Sequence, residues 1–148
     1  LSPPLRTEED RLAFIDGLNN SLIDVIVSDH KPEDEESKRL TFQQAASGAS
    51  GIESLLSLAL ELYHNKSCEL TTLIRSMTSN PAELFNLNAG SFNKNYPADI
   101  AVFDLNKPWI LKRENMKSKS KNTAIENKKL QGKVEMTFLN GNLVFENK

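Results

Sequence analysis

The amino-acid sequence predicts an α/β fold whose final third turns into a small β element. Three patterns carry this expectation. A helix signature that starts at Thr7 runs into the β-branched stretch LIDVIVS, residues 22–28. Apolar stripes at helical spacing then extend from Ile52 to Met77. After Gly90 the periodicity changes, and Asn140-Gly141 separates two apolar-rich runs, which is a hairpin signature.

The elements follow in order. Pro3-Pro4 forces an extended entry, because each ring fixes φ and disfavours helix in the residue before it. Thr7 and Asp10 have capping-box spacing, and Glu8 and Glu9 suit the first turn of a helix. Leu12, Ile15 and Leu18 continue it at helical spacing. Residues 22–28 read as a strand buried on both faces. The charged run EDEESKR, 33–39, reads as a solvated face. Ile52, Leu55, Leu56, Ala59 and Tyr63 share one stripe, which Leu58 and Leu62 widen, so this helix should be covered on more than one side. Leu70, Leu73, Ile74 and Met77 form a second stripe. A third short helix is expected with Asn80 as its N-cap, Pro81 at its first position and Glu83 three residues after the cap. ADIAVFD, 98–104, reads as a strand, residues 112–129 as a long polar and basic loop, and KVEMTFL and NLVFE as the arms of the Asn140-Gly141 hairpin. No internal repeat is present.

Composition narrows the function classes. A chain of 148 residues can hold one domain with a real core, and 39% hydrophobic with 26% charged residues is a globular balance. A net charge of −2 gives no general attraction to nucleic acid or to an anionic membrane. The basic run from Lys112 to Lys129 lacks interleaved aromatic residues, which argues against nucleic-acid binding there. The lone Cys68 excludes an internal disulfide and points to a reducing, cytoplasmic compartment. No apolar run has membrane-spanning length, and no signal peptide is visible. The chain opens at Leu1 with text that reads like the middle of a domain, so a fragment or a processed chain is expected.

Asp29 ends the apolar run 22–28. It reads either as an acid that caps a loop or as a carboxylate delivered to a site by a strand. His30 reads best as an anchor of the strand-to-loop turn, and His64 as a helix-end residue. Two histidines without a local spacing motif cannot make a self-contained zinc site.

Read together, SPPLR (2–6), SDHKPE (28–33), GASGIESLL (48–56), SNPAELFNL (79–87), YPADIAVFD (96–104), SKSKNT (118–123) and LQGKVEMTFLNGNLVF (130–145) resemble the C-terminal part of the dihydroorotases, cyclic amidohydrolases of pyrimidine biosynthesis. The match runs in family order over nearly the whole chain. The resemblance implies the end of a metal-dependent (β/α)8 barrel over residues 1–90 and the C-terminal part of a composite β-sandwich over 91–148. Residues 22–28 would be the eighth barrel strand. It also implies one or two Zn2+ ions, with most ligands upstream of this segment, and a small cyclic amide as substrate.

By the same resemblance Asp29 corresponds to the aspartate that binds metal and shuttles the proton, at the barrel face that carries the active site. A zinc-bound water with pKa near 7 would supply hydroxide for hydrolysing an unactivated cyclic amide. A carboxylate beside it could pass its proton to the leaving nitrogen. Ser47 and Gly48 match positions whose backbone binds the substrate ring. Arg6 is expected to brace the loop or pair with acids. Two positions depart from the family. Glu33 stands where a histidine helps to hold the substrate carboxylate, and Ser2 where an asparagine often binds substrate. Either Glu33 turns away, or it is protonated, or a group such as Lys31 or Arg39 compensates its charge. A third departure, Ala124-Ile125 in place of Pro-Phe, bears on the conformation of the basic loop. Three functions stay open: reversible hydrolysis of dihydroorotate to N-carbamoyl-aspartate, a non-catalytic homologue partnering aspartate carbamoyltransferase, and an amidohydrolase for another cyclic ureide. A homodimer is compatible with each. The 148 residues alone should be inactive and should expose apolar faces.

Overall fold

The computed structural model describes residues 1–147. Five helices precede the sheet: α1 (Glu8–Asn19), α2 (Glu35–Lys38), α3 (Leu55–His64), α4 (Leu70–Met77) and α5 (Ser79–Leu84). Strands β1 (Ile100–Ile110), β2 (Lys129–Leu139) and β3 (Asn142–Glu146) form one antiparallel sheet in the order β1-β2-β3.

Helix α1 begins as its sequence dictates. The Thr7 side chain accepts from Asp10 N, and the Asp10 carboxylate accepts from Thr7 N at 3.1 Å, closing a capping box. Such a cap contributes about 1 kcal/mol. Helices α3 and α4 supply the most deeply buried leucines, Leu60 and Leu73, both fully inaccessible. Burying each is worth about 1.5–3 kcal/mol. His64 ends α3 and its Nε2 lies 3.1 Å from Leu105 O, a structural tie to β1.

The Asn140-Gly141 turn has φ of 48° and 79°, the positive values a two-residue hairpin of this hand requires. It sets the register that pairs Leu139 with Asn142. Strand β1 is longer than ADIAVFD. It continues through Pro108 by a register shift between Asp104 and Pro108, where a residue without an N–H can be accommodated. The sheet is fastened to α3 by Ser57, whose hydroxyl donates to Gly132 O at 2.6 Å, and Trp109 Nε1 donates to the same oxygen at 3.0 Å. The loop between β1 and β2 contains a 3-10 turn, Arg113–Asn115. It is packed down by a cluster of Leu111, Met116 and Leu130 with Leu58, Trp109 and Ile125 against it.

Three expectations are corrected. Residues 22–28 form no strand, and Leu22 and Val27 are 77% and 71% exposed rather than buried. A strand exists by its ladder, and the described residues offer this segment no partner strand. It is held instead by Ile26 N donating to Ser76 O at 3.0 Å and by Asn80 Nδ2 donating to Asp24 O at 2.9 Å. Asn80 is therefore not the N-cap of α5. Thr78 occupies that position, and its hydroxyl bonds back to Ile74 O, so α5 follows α4 with hardly a break. The run 33–39 is a largely exposed face, as its charge predicts, and it carries α2, capped by Asp34. Ile52 lies outside α3 and is 61% exposed, so it does not share the apolar stripe of that helix.

No helix among the described residues is long and apolar enough to cross a membrane. Many large apolar side chains are nonetheless exposed, among them Leu5, Phe14, Leu22, Val27, Phe42 and Phe92. This is far more than the scattered surface leucines of an ordinary domain.

Candidate active-site loops

Asp29 occupies a turn with φ of 42°, a backbone state uncommon for a residue with a side chain. The neighbouring His30 accounts for its persistence. The Nδ1 of His30 accepts from Gly51 N at 3.2 Å and Ile52 N at 3.3 Å. A nitrogen that accepts two amides is unprotonated, so in the neutral ring the proton sits on Nε2. His30 thus anchors the turn as expected. One residue on, Lys31 N donates to Ala49 O at 3.1 Å, closing a second tie between the two loops.

The loops touch closely enough to require glycine. A Cβ at Gly48, where φ is 138°, would lie 2.6 Å from Lys31 O, and one at Gly51 would lie 2.7 Å from Ser28 O. Backbone approaches backbone, and only glycine leaves the room. The Asp29 carboxylate itself is exposed and has no hydrogen bond or ion pair among the described residues. It is free to meet a ligand.

Ser47 is half-buried beside Gly48, and its hydroxyl makes no hydrogen bond among the described residues. The carbonyl of Gly48 is doubly engaged, by Lys38 Nζ at 3.1 Å and Asn122 Nδ2 at 3.0 Å. Glu33 keeps 21% of its side-chain exposure and pairs with Lys31, Nζ to Oε1 at 3.7 Å. Of the two cations considered, Lys31 is the one beside Glu33. Arg39 is committed to Glu35 at 2.6 Å and Glu36 at 3.7 Å. The Lys31 ammonium is more than half exposed, so the pair is worth at most about 1 kcal/mol. Asp34 accepts from Ser37 N at 2.7 Å, and that bond holds its carboxyl below the usual carboxylate range.

The structure therefore brings Asp29, Glu33, Ser47 and Gly48 into two adjoining loops. Ser2 is not joined to them. It is exposed, and no hydrogen bond of the described residues links it to Asp29 or to the glycine loop. Arg6 is exposed and makes no ion pair among the described residues, so it braces nothing here.

A third segment, 117–122, reads as part of a basic loop that carries the SKSKNT match, and in the fold it staples the other two. Glu53 accepts from Lys117 N and Ser118 N, each at 2.9 Å. Ser50 N donates to Asn122 O at 2.7 Å, and Ser50 Oγ to Ser120 O at 3.1 Å. Ser120 Oγ donates to Glu33 O at 2.6 Å. A groove of about 640 Å3 opens between this segment and residues 32–39. Its cations are largely committed. Arg113 pairs with Glu126 at 2.7 Å, and Lys121 Nζ donates to Met116 O.

Among the described residues, no group of three or more His, Cys, Asp or Glu side chains could hold a metal ion. Asp29, unpartnered and exposed, has the chemistry of a single metal ligand and not of a complete site.

Comparison with known proteins places this geometry in context. The sequence profile described as "Amidohydrolase family" matches residues 2–144. The dihydroorotase of Wolbachia sp. subsp. Drosophila simulans is 41% identical over 148 residues, covering 100% of this chain and 34% of the relative. The dihydroorotase of Aquifex aeolicus is 41% identical over 146 residues, covering 99% of this chain and 34% of the relative. The chain thus spans about a third of the length of the curated relatives it matches. Among solved structures, dihydropyrimidinase from Brevibacillus agri superposes with a TM-score of 0.93 at 23% identity, over 99% of this chain and 33% of that one. L-hydantoinase from Arthrobacter aurescens gives 0.90 at 28% identity, over 99% and 34%. The fold is that of about a third of such a barrel enzyme.

Proposed function

The chain belongs to the amidohydrolase family, and from that premise we propose that it is the C-terminal third of a cyclic amidohydrolase that reversibly hydrolyses dihydroorotate to N-carbamoyl-aspartate. The observation that carries the reading is the Asp29 carboxylate, left without a protein partner on a turn that His30 pins to the glycine loop. The 41% identity to dihydroorotases across the whole chain supports this substrate over other cyclic amides.

In this reading residues 1–90 end the barrel and 91–148 belong to a β-sandwich that other parts of the protein complete. Asp29 supplies one ligand to a zinc centre whose other ligands come from elsewhere in the whole protein. The metal, when bound, would supply hydroxide at neutral pH. Asp29 accepts the proton of the attacking water and returns it to the ring nitrogen that leaves. The backbone of Ser47 and Gly48 holds the ring. Glu33, with its charge partly offset by Lys31, sits beside the substrate carboxylate, and Ser2 contributes at most a weak polar contact. The protein works in the cytoplasm, alone, as a homodimer, or with aspartate carbamoyltransferase.

The test is hydrolysis of dihydroorotate by the whole protein. Asp29→Asn should lower kcat at least about a hundredfold, the scale of a lost acid–base group. A wild-type protein without turnover that co-purifies with aspartate carbamoyltransferase would replace this reading by that of a non-catalytic partner. Glu33 favours a second reading, because an acid in that place suits a neutral ring. Hydrolysis of dihydrouracil in preference to dihydroorotate, reversed by Glu33→His, would establish it.

A further inference from the structure

Lys38 lies in the charged run 33–39, yet its ammonium faces inward. Its Nζ donates to Ala46 O at 2.5 Å and to Gly48 O at 3.1 Å, in a half-buried setting. Asn122 Nδ2 takes the second lone pair of Gly48 O at 3.0 Å. In a trans peptide the carbonyl and the following N–H point in opposite directions. A cation that gathers the carbonyls of Ala46 and Gly48 therefore turns the amides of Ser47 and Ala49 away from itself, towards one common side.

Those two amides, and that of Gly48 between them, donate in no hydrogen bond among the described residues. The neighbouring amides are spent. Ala46 N donates to Ser37 O, Ser50 N to Asn122 O, and Gly51 N to His30 Nδ1, while Ala49 O accepts from Lys31 N. The carbonyls of Ala46, Gly48 and Ala49 are thus engaged internally, while the amides of Ser47, Gly48 and Ala49 are left over. These amides are therefore available to donate to a ligand oxygen.

We propose that Lys38 and Asn122 are positioning residues. By holding two carbonyls inward they orient the Ser47 and Ala49 amides as a donor pair for a carbonyl or carboxylate oxygen of the substrate. The inference rests on the reading of loop 47–48 as substrate-binding.

The test uses the whole protein with Lys38→Met, Lys38→Arg and Asn122→Ala, and two readouts. The first is steady-state kinetics with dihydroorotate and dihydrouracil. Lys38→Met and Asn122→Ala should raise KM about three- to tenfold, the scale of a weakened hydrogen bond, with kcat changed less. Lys38→Arg, which still spans two carbonyls, should restore KM. The second is a crystal structure of the Lys38→Met protein, expected to show the 46–47 or 48–49 peptide turned over. Unmoved peptides would overturn the proposal whatever the kinetics, and so would turned peptides with unchanged KM. A wild-type protein inactive on both rings would instead count against the proposed function, and the peptide orientation would still decide the role of Lys38.

Discussion

Gly48→Ala tests the close approach on which the site geometry depends. Two costs add. The φ of 138° is a region that residues with a Cβ rarely adopt, at about 1–3 kcal/mol. The new methyl would also sit 2.6 Å from Lys31 O, well inside the 3.4 Å at which ordinary contact begins. That oxygen is main chain, and Lys31 is itself bonded to Ala49 O, so no rotamer change relieves the clash. A loss of about 2–4 kcal/mol is expected from the sum. Gly141→Ala separates the two costs. There φ is 79°, but the nearest heavy atom to the new methyl is Ala98 Cβ at 3.9 Å, so only the left-handed backbone cost of about 1–2 kcal/mol remains. Denaturant unfolding of the whole protein, compared at a common m-value, measures both. Equal losses for the two variants would refute the claim that the Asp29 turn is pressed against the glycine loop.

Two further outcomes follow from side-chain environments. Burial pushes the Cys68 thiol above its ordinary range, so the native protein should resist alkylation by iodoacetamide at neutral pH while the urea-unfolded chain reacts readily; equal rates would contradict its burial. Glu135 is held below the usual carboxylate range by Lys107, 2.6 Å away, and by Asn147. A carboxylate lowered on folding stabilises the protein above its unfolded value, and that contribution is lost as pH falls towards the folded one. Glu135→Gln should therefore lower stability at neutral pH and flatten its acid-side dependence, as read by thermal unfolding from neutral pH to pH 3.

The parts legible in the sequence are those whose causes lie within a few residues. Thr7 and Asp10 are three apart, and the capping box between them needs nothing else. Asn140-Gly141 specifies its own turn, and the hairpin follows. The α2 cap was equally local, Asp34 to Ser37, but it lay within a charge run whose composition reads as solvated surface. Segment 22–28 failed for the opposite reason. Its β-branched composition states a preference, but a ladder is a contact with another strand, and none is supplied here. Asn80 has the propensity of a cap, yet its amide fastens Asp24, 56 residues away.

The same division runs through the site. Asp29 ends an apolar run, and it is the family resemblance that singles it out as the candidate carrier of chemistry. His30, which anchors its turn, is legible too, but the residues that orient the glycine loop are not, because their types are ordinary and their partners distant. Lys38 reads as one more surface cation, and Asn122 as one more polar loop residue. Only the fold reveals that both meet at Gly48 O, 10 and 74 residues away in sequence. Neither carries reactive chemistry, and the effect of each is to fix which way a peptide faces. Periodicity cannot encode that, since turning a peptide over changes neither a hydrophobic pattern nor a charge. It exchanges an acceptor for a donor at the place where a ligand would be recognised, which is why substitutions at Lys38 should register in KM before they register in the fold.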